Sequence, residues 1–374
     1  MIRYLTGGES HGRTMTAILD GMPSGLSIKE STINNDLYRR MLGYGRGKRM
    51  KIEADKVQII SGLRRSVTMG SPITLAINNV DHSIDRLPVV LNARPGHADL
   101  SGVMKYDLKD IRSVLERASA RETVSRVSVG AVCKALLAEF GIEIASHVVA
   151  IGGVEAQTKD LGFDRLVSKA ERSPVRCADS DASGLMCAEI DDATEEGDTL
   201  GGVFELIARG VPVGLGSYTQ WDRRIEARLS YAVMSIQAVR GVSFGAGFEM
   251  AGMRGSMVHD EIFHDKKRGF YRTTNNAGGI EGGMTTGEAI VIQAVMKPIA
   301  TLMSPLSSVN IRTKAKALAN VERSDVCAVP AAGVVGEAVM AIELANAMIE
   351  KFGGDSLREM KRNYGGYLDQ IKKI

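Results

Sequence analysis

The stretch from Ser113 to Phe140 sets the tightest limit on how this chain can pack. Its spacing predicts one long helix stopped by Gly141, with a middle crowded by Ala118, Ser119, Ala120, Ser125, Ser128 and Ala131. A helix so poor in bulk lets neighbouring backbones come close. Composition agrees. The chain has 41 glycines and 5% aromatic residues, which points to tight backbone approaches and small-residue packing and not to a core built on large rings.

Other helices are placed by pattern. Ser27 and Glu30 make a candidate capping box, followed by Ile33, Leu37 and Met41 at four-residue spacing. A third helix is expected from Val335 to Phe352, ahead of Gly353-Gly354, and a last one from Leu357 to Asn363. Alternating apolar stretches predict strands at Lys56–Ser61, Ile73–Ile77, Val203–Ala208 and Ile290–Met296. Gly62, Thr68, Gly70 and Ile73 share their spacing with Gly279, Thr285, Gly287 and Ile290, and Thr199-Leu200-Gly201-Gly202 is a looser third copy. Two readings stay open: chance similarity of Gly/Thr turns, or a duplication that makes residues 1–374 one pseudo-symmetric domain.

At 374 residues the chain has room for one large domain or two ordinary ones. A net charge of +3 gives no global field toward nucleic acid or membrane. Cys133, Cys177, Cys187 and Cys327 show no paired spacing, the pattern of a reduced intracellular chain without structural zinc. No apolar run comes near the roughly 20 residues of a membrane span. Met1 to Leu5 leads straight into Gly and charged residues, without a signal-peptide core. A cytoplasmic protein with no membrane partner is expected.

The densest cationic segment is Arg39-Arg40-Met41-Leu42-Gly43-Tyr44-Gly45-Arg46-Gly47-Lys48-Arg49-Met50-Lys51. Glycine allows close backbone approach, and the Arg fork suits phosphate and carboxylate oxygens. A solvated loop would not need so many glycines, and a nucleic-acid surface would want stacking aromatics as well. The segment therefore reads as a small-anion site. Arg94, Arg112, Arg117, Arg121 and Arg323 add cations, with Arg117 and Arg121 four apart on one expected helical face, while Glu122 can pair with Arg126 on another.

Two histidines lie on Gly-bearing polar turns, where an imidazole can act as a general acid: His11 in Gly8-Glu9-Ser10-His11-Gly12, and His97 in Arg94-Pro95-Gly96-His97-Ala98-Asp99. His82 and His147 lack such surroundings. His259 and His264 are five apart, about 140° around a helix, whereas zinc-binding pairs sit four apart, so no metal site is expected. Gly245-Ala246-Gly247 reads as a Gly-rich turn and not a dinucleotide fingerprint, since Gly252-Met253-Arg254-Gly255 is a poor helix start.

Three separated stretches resemble the characteristic patterns of chorismate synthases: Gly8 to Gly12, Arg117-Ala118-Ser119-Ala120-Arg121-Glu122-Thr123, and Arg323-Ser324-Asp325-Val326-Cys327 running on to Gly336-Glu337-Ala338. Arg94 to Asp99, Asn276 to Ile280 and Gly282-Gly283-Met284 support the likeness in order along nearly the whole chain. The resemblance implies an α/β fold, a β-α-β sandwich with helices between two largely antiparallel sheets. It also implies a lyase that forms chorismate and phosphate from 5-enolpyruvylshikimate 3-phosphate by anti-1,4 elimination with reduced FMN, the last step of the shikimate pathway.

By the same resemblance His97 serves the leaving phosphate, His11 lies beside the flavin ring, and Asp325 acts on flavin N5 as a base. Ser10, Arg40, Arg46, Arg94 and Arg121 bind substrate; some descriptions of the family give Arg40 and Arg46 to a nicotinamide (NADP) phosphate instead. Arg117, Ala118, Ser119, Gln237, Ala238, Gly282, Lys297, Pro298, Ile299, Ala300, Thr301 and Arg323 fall where the family binds FMN. Lys297 with Thr301 is a sensible phosphate anchor on physical grounds too. Glu116-Arg117-Ala118 and Arg323-Ser324-Asp325 depart from the commoner family residues, which bears on the flavin contacts. A homotetramer is implied, and the want of an added reductase module points to a separate flavin reductant over direct use of NADPH.

Overall fold

The computed structural model describes residues 1–47, 54–322 and 324–374. The first half runs β1 (Arg3–Gly7), β2 (Thr14–Asp20), α1 (Glu30–Met41), β3 (Val57–Ile59), β4 (Leu63–Arg64), β5 (Val67–Thr68) and β6 (Ile73–Asn78). Then come α2 (Asp99–Tyr106), α3 (Arg112–Ala118), α4 (Thr123–Ala138), β7 (Glu143–Ile151), β8 (Val154–Glu155), α5 (Phe163–Arg172) and α6 (Ser180–Glu196). The second half continues β9 (Gly202–Arg209), α7 (Ile225–Met234), β10 (Val239–Phe244), α8 (Gly255–Val258), β11 (Ile262–Asp265) and β12 (Gly269–Arg272). It closes with β13 (Ile280–Glu281), β14 (Met284–Thr285), β15 (Ile290–Met296), β16 (Ser307–Val309), β17 (Lys316–Leu318), α9 (Val329–Phe352) and α10 (Leu357–Ile371).

Two antiparallel sheets dominate, with strand orders β1-β2-β6-β3 and β10-β15-β9-β7-β8. Along β2 and β6 inward residues alternate with outward ones, so Met15, Ala17, Leu19, Ile73, Leu75 and Ile77 are all buried. Helix α4 packs on β2 and β6, α9 packs on β7 and β9, and the two helices pack on each other. Helices thus lie between two antiparallel sheets, as the family resemblance implied.

Small residues make this layer possible. A methyl group at Gly130 of α4 would stand 2.3 Å from Ala338 Cβ of α9, and one at Gly336 would press on Leu206 and Phe204 of β9. Helix α9 is apolar nearly all round, and its length and mean hydropathy of 1.5 match a membrane span, contrary to the expectation from the sequence. Most of it is buried inside the protein, however, which is the other setting that requires an all-round apolar helix.

Several local expectations need correction. The predicted long helix breaks at Ser119, whose φ of −60° and ψ of 142° are extended. Its hydroxyl accepts from Arg121 N at 3.2 Å and caps the short turn that leads into α4. The side chains of Arg117 and Arg121 therefore diverge instead of sharing a face. No capping box forms at Ser27: α1 starts after Lys29, and the Glu30 carboxylate accepts from Ile59 N at 3.0 Å. Helix α9 begins earlier than expected, with Pro330 in its first turn. Helix α10 continues past Asn363 to Ile371.

The Gly/Thr repeat is structural. Thr68 donates to Pro23 O at 2.6 Å and accepts from Leu26 N at 2.9 Å; Thr285 donates to Pro212 O at 2.6 Å and accepts from Leu215 N at 2.9 Å. Each threonine closes a two-residue-strand hairpin, β4–β5 or β13–β14, that feeds a central strand. The strand order β3-β6-β2-β1 recurs as β10-β15-β9-β7. The looser third copy does not share this geometry, because Thr199 donates to Ile299 O at 2.8 Å.

Candidate functional site

Loops at one end of the helical layer enclose a cavity of about 850 Å³. Ser10 and His11 reach it from the β1–β2 connection, Arg40 from the end of α1, and Arg46 from the glycine loop that follows. Arg94 and His97 come from the turn before α2; Ala118, Ser119 and Arg121 from the helix break. Gln237 and Ala238 precede β10, Lys297, Ile299, Ala300 and Thr301 follow β15, and Asp325 precedes α9. Seven cations line the cavity among the described residues, Arg40, Arg46, Arg94, Arg112, Arg121, Arg240 and Lys297, against three carboxylates, Asp81, Glu322 and Asp325. Such a lining favours a ligand with several negative charges.

Each histidine is tied to a buried carboxylate. His97 Nδ1 lies 2.5 Å from Asp99 Oδ1, and Asp99 also accepts from Arg94 Nε at 2.8 Å and Arg94 Nη2 at 3.0 Å. Burial works against the charge on Asp99, but the hydrogen bonds from His97 and Arg94 outweigh it and hold the carboxyl well below its ordinary range. His11 Nδ1 lies 2.9 Å from Glu116 Oε1, and His11 N donates to Glu116 Oε2 at 2.7 Å. Glu116 behaves likewise: burial raises its pKa, and the bonds from His11 together with the charge of Arg112 more than reverse the effect.

The arginines are braced from behind. Arg40 donates to Thr123 Oγ1 at 2.9 Å and to Ala120 O at 3.1 Å, and it pairs with Asp55. Burial, offset in part by Asp55, makes its charge costly and lowers its pKa to about 10. Arg121 donates to Asn79 Oδ1 at 2.8 Å and Asp55 Oδ1 at 2.6 Å. Arg46 donates to Asp325 Oδ2 at 2.7 Å, while Gly47 N donates to Oδ1 at 2.6 Å. Two residues assigned separate roles from the sequence thus form one ion pair. Arg94 Nη1 donates to Thr301 Oγ1 at 2.8 Å. Burial, with Arg240 nearby, lowers the pKa of Lys297, whose ammonium reaches Pro298 O only at 3.4 Å.

Not every predicted residue reaches this cavity. Arg117 turns away to Gly8 O, Thr6 O and Thr6 Oγ1, beside a separate depression of about 400 Å³. Gly282 lies in the β13–β14 turn with φ of 59°, away from the cavity lining, and Pro298 contributes a carbonyl to Lys297. Arg323, with Lys48, Arg49, Met50 and Lys51 of the cationic segment, lies outside the described residues. The segment 259–264 is not one helix: His259 caps α8, and His264 lies on β11 against Phe270. Sequence reasoning missed Arg240, Asp55, Asn79 and Glu116 as parts of the site. Asp99 stood inside a singled-out motif, but its role needed the fold.

The sequence profile of chorismate synthases matches residues 2–349. The chain belongs to the chorismate synthase family. Over the full length of both proteins it is 56% identical to the chorismate synthase of Geobacter sulfurreducens and 55% identical to that of Geobacter metallireducens. A crystal structure of a chorismate synthase superposes with a TM-score of 0.84 at 44% identity, covering 100% of this chain and 99% of that one. As a member of this family the chain is an enzyme of the lyase class, acting in aromatic biosynthesis at the last step of the shikimate pathway.

Proposed function

We propose that this enzyme converts 5-enolpyruvylshikimate 3-phosphate to chorismate and phosphate in the arginine-lined cavity, with reduced FMN as its cofactor. One observation carries the reading: Arg40, Arg46, Arg94, Arg121, His11, His97 and Asp325, drawn from segments far apart in the chain, line a single cavity. The substrate bears a phosphate and two carboxylates, which suits this excess of cations.

A flavin fits the rest of the lining. The cavity volume is near the upper end of the roughly 300–1,000 Å³ usual for ligand sites, room for a substrate beside a ring system. Gln237 Oε1 is buried without a hydrogen-bond partner, and Ala238 holds a left-handed φ of 67°, the kind of strain that persists where a site requires it. Reduced FMN would lend electron density to the step in which phosphate departs and recover it afterwards, so no net redox change results. Ser119, Gln237, Ala238 and the run Lys297 to Thr301 would hold the cofactor, with Ala118 and His11 beside them.

The chain's own residues then divide the work. Arg40, Arg46 and Arg121 bind and orient the anionic groups of the substrate, assisted by Ser10. His97, aimed by Asp99, donates a proton or a hydrogen bond to the departing phosphate, and Arg94 steadies both. Asp325 is the base that would act at flavin N5, which requires Arg46 to shift its hold from this carboxylate toward the substrate. We further propose a homotetramer in the cytoplasm, supplied with reduced flavin by a separate reductant.

The test is anaerobic: purified enzyme, substrate and chemically reduced FMN, with chorismate and phosphate followed together. Both products should appear at equal rates, and neither with oxidised FMN. Saturable substrate binding without product would sink the reading. NADPH oxidation by the enzyme and FMN alone would remove the separate reductant.

A further inference from the structure

Glu116 lies behind the site and carries no role in the scheme above, yet it makes three contacts to one residue of the cavity wall. Its Oε2 accepts from His11 N at 2.7 Å; Oε1 and Oε2 lie 2.9 and 3.1 Å from His11 Nδ1. The Glu116 side chain is 1% exposed and that of His11 16%. The main chain is pinned as well, since Ser10 N donates to Glu116 O at 2.9 Å. Among the charged groups, Arg112 on α3 lies 3.7 Å from Glu116, and Asp81 and Arg121 line the same cavity as His11. An ionised carboxylate only accepts hydrogen bonds. Nδ1 of His11 must therefore carry a proton, and a hydrogen bond from this imidazole to a ligand runs through Nε2.

We propose that Glu116 is a positioning residue for the elimination, acting through His11: it makes Nδ1 the proton-bearing nitrogen and directs Nε2 at the cavity's contents. This rests on the function proposed above. The break at Ser119 that ends α3 makes the arrangement possible, because it leaves Glu116 in the last turn of α3, against the β1–β2 loop. The scheme parallels His97 and Asp99 across the site, so each imidazole has its own buried carboxylate.

The test uses the whole protein without ligands. Histidine ¹⁵N spectra near pH 9, where an ordinary imidazole is neutral, report which ring nitrogen holds the proton, and His11→Asn assigns the signal. The expected result is the Nδ1–H form in the native protein and the Nε2–H form in Glu116→Ala. A native Nε2–H signal overturns the proposal, whether or not chorismate is made. Turnover adds a second readout: Glu116→Ala should lower kcat about tenfold or more in the native background but less than about twofold beside His11→Asn. Equal losses in both backgrounds would mean a merely structural role and would overturn it too. If Glu116→Ala fails to fold, Glu116→Gln keeps an acceptor oxygen and should retain the Nδ1–H form; the Nε2–H form there overturns the proposal. Absence of activity in the native enzyme with the expected tautomer would count against the reaction and leave the Glu116 geometry standing.

Discussion

At the scale of single residues the site is a set of charges held by other charges. Asp99 is fully buried and keeps its negative charge only because Arg94 and His97 surround it. If His97 serves the leaving phosphate, His97→Ala should lower kcat by about a hundredfold to ten-thousandfold while FMN binding survives. Stopped-flow turnover and a flavin titration on the same sample separate the two, and a variant at full speed would remove His97 from the chemistry. Arg46 differs, since its guanidinium already pairs with Asp325. Arg46→Ala should raise the apparent KM roughly tenfold to a hundredfold, the loss expected for a charged hydrogen bond. An unchanged KM would move the anion site away from the glycine loop. The motifs around His11, His97 and Asp325 were readable because each packs its chemistry into a few consecutive residues. Glu116 and His11 are 105 positions apart, and Asp55 and Arg121 are 66 apart. No local pattern records such a pair, so the bracing carboxylates appear only once the chain is folded.

Among the elements, the small-residue stretch was legible as close packing and illegible as a break. Alanine and serine suit a helix interior and a cap alike, and it is the Ser119 hydroxyl on Arg121 N that decides for the cap. The same limit explains the false capping box, because Glu30 finds a better partner across space in β3. Strand β15 was readable to the residue, since Thr286-Gly287 precede it, Lys297-Pro298 follow it, and its alternation is clean. Helix α9 hid its start, because Pro330 reads equally as a first-turn residue or a stop. What remains testable at this scale is the contact of α4 with α9. Gly130→Ala sets a methyl 2.3 Å from Ala338 Cβ and 2.5 Å from Ala338 Cα, where neither backbone can easily retreat. Overpacking of this kind costs about 1–3 kcal/mol, and urea unfolding should show it. Full stability in Gly130→Ala would mean that the two helices slide more easily than their packing implies.

Taken whole, the molecule is two similar β-rich halves joined through a polar knot in a largely apolar helical layer. Glu337 of α9 is completely buried. It accepts from Arg39 Nη1 at 2.7 Å and Nη2 at 2.8 Å, from Lys134 Nζ at 2.5 Å and from Ser146 Oγ at 2.6 Å, with Arg176 at 3.4 Å. These partners come from α1, α4, β7 and the segment after α5, so one carboxylate fastens four regions to α9. Burial alone would raise its pKa; Lys134, Arg39 and Arg176 overwhelm that and hold it well below the carboxylate range. Removing the charge leaves Arg39, Lys134 and Arg176 with only Asp36 and Glu171 as anionic partners among the described residues, so Glu337→Gln should lose about 3–5 kcal/mol at pH 7. The pH dependence follows from the depressed folded pKa. The unfolded glutamate titrates near about 4.3, so the contribution is complete above that pH and is lost as pH falls toward the lower folded value. The stability gap between native and variant proteins should therefore be flat from about pH 7 to pH 5 and then close by about 1.4 kcal/mol per pH unit below about 4.3. Denaturant midpoints for both proteins across that range measure it. A gap as wide at pH 3.5 as at pH 7 would mean that Glu337 fastens the halves by shape and hydrogen bonding and not by its charge.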